Sequence, residues 1–225
     1  MKAGVWWVNL YSNGRGCSLT HCAAQANGFH NQITGTKTSS LGDGNAKDKH
    51  FERLGYGSPM EGEDFQYISL CDIVYFSGHG NENGPIFGVD QDSGQALTSE
   101  CRWGGAQLKW IVLDACRTLS QANVKGRWEK VFDGLRYILG FASDSADEPH
   151  RGTKLAAELN SGQWAIREAW QRVCETTCGQ TYDRWAWLRA TGSTSTETID
   201  DRWNAASLPQ LPNPLTGTDY LTSSC

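Results

Sequence analysis

The sequence predicts an α/β fold in which a mostly parallel sheet is covered by helices on both sides. Three observations carry that prediction. Short runs of β-branched and aromatic residues recur along the chain, near-continuously apolar, and longer polar or helical stretches separate them. Strands buried on both faces read this way because neither face alternates with solvent, which marks a helix-covered parallel sheet. A chain of 225 residues with no repeat or low-complexity block suits a single domain, 1–225, with a substantial core.

The elements follow in order. The first run is 5–10 (Val-Trp-Trp-Val-Asn-Leu), and a helix is expected over 18–31. Residues 34–62 carry Leu-Gly-Asp-Gly-Asn and Gly-Tyr-Gly-Ser-Pro, which is turn chemistry, so this stretch reads as loop with one short helix near 47–54. The second run is 72–77 (Asp-Ile-Val-Tyr-Phe-Ser), the third 109–113 (Lys-Trp-Ile-Val-Leu) and the fourth 135–142 (Leu-Arg-Tyr-Ile-Leu-Gly-Phe-Ala). Leu155, Leu159, Trp164, Ile166, Ala169, Trp170 and Val173 recur at helical spacing, predicting one or two helices over 151–174 with a break near Ser161-Gly162. Residues 184–190 read as a closing strand or short amphipathic piece. The tail 207–225, with three prolines and many Ser and Thr, reads as irregular surface.

Composition narrows the function classes. A formal net charge of -5 offers no clustered basic surface, so nucleic acid is not an expected partner. No apolar run approaches the roughly 20 residues that cross a bilayer, and Met1 to Val8 leads straight into a strand rather than a signal peptide; a soluble chain with no membrane partner is expected. Eight cysteines make some disulfides, and with them an extracellular setting, slightly favoured. None forms a doubled Cys-x-x-Cys, so no structural metal is expected. The ten tryptophans, Trp103, Trp128, Trp164, Trp170, Trp185, Trp187 and Trp203 among them, are expected to pack in the core rather than stack on sugars. His21, His30, His50 and His150 share no spacing and are expected at the surface.

Chemistry concentrates at two strand ends. In open α/β sheets, sites form beyond the carboxyl ends of the strands. The second run continues through Ser77-Gly78-His79-Gly80 and the third through Asp114-Ala115-Cys116, so a histidine and a cysteine leave two strands that can be neighbours. A free thiol is only slightly ionised at neutral pH, and a nearby imidazole can raise that fraction and later protonate a leaving amine. The glycines flanking His79 allow a sharp turn and close approach of a substrate to the main chain. The amides of Gly80 and Cys116 are then the natural oxyanion donors.

This pair of strand ends resembles that of the caspase-like (clan CD) cysteine peptidases, the group of caspases, metacaspases, legumains, gingipains and clostripain. In them a hydrophobic strand ends in His-Gly and a later one in x-Ala-Cys; here Cys116 follows His79 by 37 positions, and the motif is nearest to the legumain branch. The resemblance covers about residues 3–143. It implies a caspase-like three-layer α/β/α sandwich and a cysteine endopeptidase working through a Cys116–His79 dyad and an acyl thioester. It also implies that Asp114, two positions before the nucleophile, lines the primary specificity pocket, where an acid favours Arg or Lys, or Asn in legumain-like enzymes, on the acyl side of the cleaved bond. Peptides or proteins are the implied substrates. Arg117-Thr118-Leu119-Ser120 departs from the Ser-Gly or Arg-Gly common after the nucleophile, which leaves the shape of that loop open. Asn13 is the one candidate to orient His79. No cofactor is expected, with calcium on Asn81, Glu82, Asp90 and Asp92 as the alternative. A ligase or cyclase using the same dyad, or a non-catalytic caspase-like binding module, are the competing functions.

Overall fold

A computed structural model describes residues 1–11, 16–56, 62–88, 94–178, 183–191, 202–203 and 217–224. In chain order the main elements are β1 (Lys2–Trp7), α1 (Cys22–Gln32), β2 (Thr36–Gly42), β3 (Ile73–Ser77), β4 (Gly80–Asn81), β5 (Gly84–Pro85) and β6 (Trp110–Asp114). They continue with α2 (Val124–Trp128), β7 (Tyr137–Phe141), α3 (Arg151–Ser161), α4 (Ile166–Thr177), β8 (Arg184–Thr191) and β9 (Gly217–Ser224). Seven strands form one sheet in the order β2-β1-β3-β6-β7-β8-β9. Pairing is parallel from β2 to β7, and β8 and β9 close the sheet antiparallel. The predicted mostly parallel α/β sheet is therefore the architecture.

Alternation along each strand divides the core in two. Ile73 and Tyr75 of β3, Trp110 and Val112 of β6, and Tyr137, Leu139 and Phe141 of β7 face one side, where they meet Phe29 of α1, Leu155 and Leu159 of α3, and Ile166 and Trp170 of α4. Val74 and Phe76 of β3, Ile111 and Leu113 of β6, and Ile138 of β7 face the other, against Phe51, Phe87, Trp103, Trp128 and Val131. That second outer layer holds the five-residue α2 and single 3₁₀ turns such as Asp48–His50 and Ile68–Leu70. Trp103, Trp128, Trp170, Trp185 and Trp203 are buried, as packing residues are.

Several boundaries differ from the sequence expectation, α1 among them, which begins at Cys22 rather than 18. β1 starts at Lys2, three residues before the expected run, and the helix expected near 47–54 is only the turn Asp48–His50. β2 lies in the stretch read as loop: its Thr-Lys-Thr-Ser-Ser-Leu-Gly has no apolar alternation because it is an edge strand with mostly exposed or half-buried residues. β9 occupies the tail read as irregular, pairing with β8 along its whole length. Residues 184–190 are thus a strand. The helix break falls where expected, at Gly162, whose φ of +65° ends α3 in the left-handed conformation glycine tolerates.

Candidate active site

β3 and β6 are adjacent and parallel, with Ser77 opposite Asp114. Two residues beyond that register, His79 and Cys116 leave the same carboxyl edge, and both line a cavity of about 220 Å³ with Leu19, Cys22, Gln25 and Asp147. Sheet alternation sends Ser77 and Asp114 to the face that carries the helices. Ser77 meets Gln25 of α1 there, the two side chains in hydrogen-bond contact, and Gln25 Nε2 donates to Glu148 O at 2.6 Å. The carboxylate of Asp147 crosses to the start of α1, accepting from the amides of Thr20 (2.7 Å) and His21 (3.1 Å). An acid at a helix N-terminus satisfies amides that have no partner within the helix. This contact ties the loop after β7 to α1 across the cavity.

His79 is held on both sides. Its backbone N–H donates to the Tyr11 hydroxyl at 2.6 Å, and the Tyr11 ring lies against the imidazole with centroids 4.5 Å apart. Burial pushes the Tyr11 hydroxyl well above the usual tyrosine range, so it remains a neutral donor, reaching Ile86 O at 3.2 Å. On the other side Gly16 presses on the ring: with φ at +149°, a Cβ there would stand 2.4 Å from His79 Cδ2. Nε2 lies 2.7 Å from the carbonyl oxygen of Cys17. A carbonyl only accepts, so Nε2 bears the proton.

Cys116 is a half-buried free thiol. Its Sγ accepts the N–H of Ser145 at 3.3 Å. Burial raises the thiol above its ordinary value; the Ser145 amide opposes that shift, and the negative charges of Asp144 and Asp114 add to it. The chain then turns through Arg117 at φ +56°, an uncommon conformation for a side-chain-bearing residue, which redirects the backbone immediately after the sulfur. Among the described residues the Cys116 amide finds no acceptor of its own. Gly80 packs directly on this turn, its missing Cβ position lying 3.1 Å from Cys116 O.

Asp114 lines the same cavity. Its carboxylate is buried rather than free: Oδ1 accepts from Arg151 Nη1 at 2.5 Å and from Ser145 Oγ at 3.3 Å, and Oδ2 accepts from Tyr75 OH at 2.6 Å. The acid borders the cavity, but its charge is already matched from inside the protein by α3. Alternation gives the reason, since Asp114 shares the inward face of Trp110 and Val112.

Other expected residues are distributed as follows. Asn13, Asp90 and Asp92 lie outside the described residues, and Asn81 Oδ1 accepts from Asn83 N and Gln95 Nε2. No cluster of three or more His, Cys, Asp or Glu side chains suited to a metal ion occurs among the described residues. Cys178 is disulfide-bonded, whereas Cys17, Cys22, Cys71, Cys101 and Cys174 are free thiols like Cys116. Among the described residues no helix is long and apolar enough to cross a membrane. His50 is buried, not superficial. Tyr11, Gln25, Ser145, Asp147 and Arg151 are parts of the site that strand patterns alone miss. The rule about carboxyl edges, applied to the fourth run, points to residues 143–147; a buried arginine at the start of α3 has no local signature.

The fold has a likeness among solved structures. A secreted C11 cysteine protease from Bacteroides thetaiotaomicron, solved with an irreversible peptide inhibitor, matches at 10% identity and a TM-score of 0.39, over 88% of this chain and 67% of that one. No curated protein matches the sequence. A family model described as "Domain of unknown function (DUF6345)" matches residues 5–220, and the chain belongs to that family.

Proposed function

We propose that the protein is a cysteine peptidase. The Cys116 thiol gives its proton to the His79 imidazole, the thiolate Sγ attacks the peptide carbonyl carbon, and the resulting oxyanion rests on the amides of Cys116 and Gly80. The C–N bond breaks as Nε2–H of His79 protonates the departing amine, leaving an acyl thioester on Cys116. Water gives a proton to the now neutral imidazole and adds to the thioester carbon; the C–S bond breaks, the acid is released and the imidazolium returns its proton to the Cys116 thiolate. One observation carries the reading: the parallel register of Ser77 with Asp114 brings His79 and Cys116 to one rim and into the lining of one cavity.

The internal pairing of Asp114 with Arg151 changes the expected substrate preference. A basic side chain entering beside Asp114 would meet a charge already neutralised, with a second cation, Arg151, behind it. The remaining acid of the lining, Asp147, already accepts the Thr20 and His21 amides that lead into α1. An uncharged acyl-side residue, Asn included, is therefore favoured over Arg or Lys.

The test is a peptide library read by mass spectrometry. Wild type should cleave after uncharged residues more readily than after Arg or Lys, Cys116→Ala should be inert, and His79→Ala should be slower by about 10² to 10⁴. No cleavage by the wild type, or cleavage untouched in Cys116→Ala, overturns the reading. A marked excess of Arg or Lys products overturns only the preference.

A further inference from the structure

The sulfur of Cys116 has a donor that does not come from His79. Ser145 N–H stands 3.3 Å from Sγ. A thiolate gains more from such a donor than a thiol does, so an amide fixed in this place favours the reactive form. Ser145 belongs to a connecting segment, however, and a donor free to swing away loses most of its effect. What fixes it is the question.

A buried chain of polar contacts fixes it. Ser145 Oγ donates to Asp114 Oδ1 at 3.3 Å and accepts from Arg151 Nη1 at 3.1 Å. The Arg151 guanidinium is itself locked: Nη1 to Asp114 Oδ1 at 2.5 Å, Nε to Thr177 Oγ1 at 3.1 Å, Nη2 to Thr177 O at 3.4 Å, with the Phe141 ring 4.9 Å from its centre. Tyr75 OH closes the other oxygen of Asp114. Donor count and direction agree at every link, since the guanidinium only donates, the carboxylate only accepts, and the hydroxyl does one of each. Arg151 has no exposed side-chain surface, so this cation is committed to internal work.

Resting on Cys116 as nucleophile, we propose that Arg151 and Asp114 are positioning residues. Through the Ser145 hydroxyl they hold the Ser145 amide on the sulfur, so that amide stabilises the thiolate while His79 is left to serve the leaving group. The division of labour fits His79, whose Nε2–H is directed to Cys17 O. It also explains why an acid two residues before the nucleophile is paired rather than open. The titratable and charged groups around the sulfur are Asp114, Asp144, Asp147, Arg117, Tyr11, Cys22 and the His79 imidazole; Ser145→Ala alters none of them, whereas the Arg151 variants change the pairing of Asp114.

Alkylation separates this proposal from the peptidase reading, because it reports on the thiol and needs no substrate. Iodoacetamide rates at Cys116 are read by peptide mapping across pH 5 to 10 (roughly the range where thiols titrate) for wild type, Ser145→Ala, Arg151→Met and Arg151→Lys, with exposed Cys17 as internal reference. Ser145→Ala keeps the amide but frees it, and should move the Cys116 midpoint upward by about one pH unit, slowing alkylation at pH 7 by about tenfold. Arg151→Met should shift it the same way, and Arg151→Lys should recover part of the loss. The Cys17 profile should not move. A folded Ser145→Ala protein with the wild-type midpoint overturns the proposal, even if Arg151→Met fails to fold. Wild-type protein that alkylates normally at Cys116 but cleaves no peptide overturns the peptidase reading and leaves the positioning chain standing.

Discussion

At the scale of single residues, Gly80 is where a small change should separate transition-state stabilisation from binding. A Cβ on it would lie 2.8 Å from Thr118 Cγ2, 2.9 Å from Ala115 Cβ and 3.1 Å from Cys116 O. The neighbours are backbone or rigid methyl groups, so Gly80→Ala must move the loop that carries one of the amides proposed for the oxyanion. An oxyanion forms only in the transition state, and an interaction made only there shows in kcat. Steady-state kinetics on the best library peptide should show kcat lower by about 10- to 100-fold with KM little changed. A raised KM at constant kcat would assign Gly80 to substrate binding instead. That His79 and Cys116 share one rim was legible because each follows its strand directly in sequence. The state of Asp114 was not, since its partner Arg151 arrives from 37 residues away on another element.

Among elements, the packing of α1 on α3 fixes one wall of the cavity. The two helices meet at glycines: a Cβ on Gly152 would lie 2.0 Å from Gln25 O, and one on Gly28 would lie 2.2 Å from Thr153 Oγ1. Gly152→Ala should gain about 1 kcal/mol in helix propensity. The clash is with backbone that cannot turn aside, and overpacking of this kind costs about 1–3 kcal/mol or more. The clash therefore wins. Urea denaturation should show a net loss of stability, with activity falling too, because α1 carries Gln25 and Cys22 of the lining. A stabilised Gly152→Ala protein would mean the helices separate freely. The buried strands β3, β6 and β7 could be found from apolar runs alone, whereas edge strands β2 and β9 could not. An edge strand is defined by the neighbour it pairs with, and its polar residues leave no pattern for a local reading to detect.

Over the whole molecule, acid sensitivity offers a test of how the second outer layer is built. His50 is buried there, its ring stacked on Tyr67 with centroids 3.8 Å apart. Its Nδ1 accepts from Trp6 Nε1 at 3.1 Å, so that nitrogen stays unprotonated in the native state. Burial lowers the imidazole from 6.5 to about 4, with Lys49 and Lys47 adding to the drop and Glu63 opposing it. The sign follows from proton uptake. Between pH 6.5 and about 4 the unfolded chain binds a proton at His50 and the folded chain does not. The stabilisation is therefore complete above pH 6.5 and is lost as pH falls toward the folded value. Solvent in the pocket bordered by Lys47, Lys49 and Glu63 screens part of this, leaving on the order of 2 kcal/mol. Buried Asp64 and Asp114 are shifted upward, mainly by burial, and so slope the other way. The informative quantity is then the difference between wild type and His50→Gln, in which those contributions cancel and the acceptor for Trp6 is kept. Urea unfolding at pH 7 and at pH 4.5 should show the wild type losing on the order of 2 kcal/mol more than the variant. Parallel losses in the two proteins would mean that His50 takes up its proton without unfolding, and that the layer over Trp6 and Phe51 opens to water at that point.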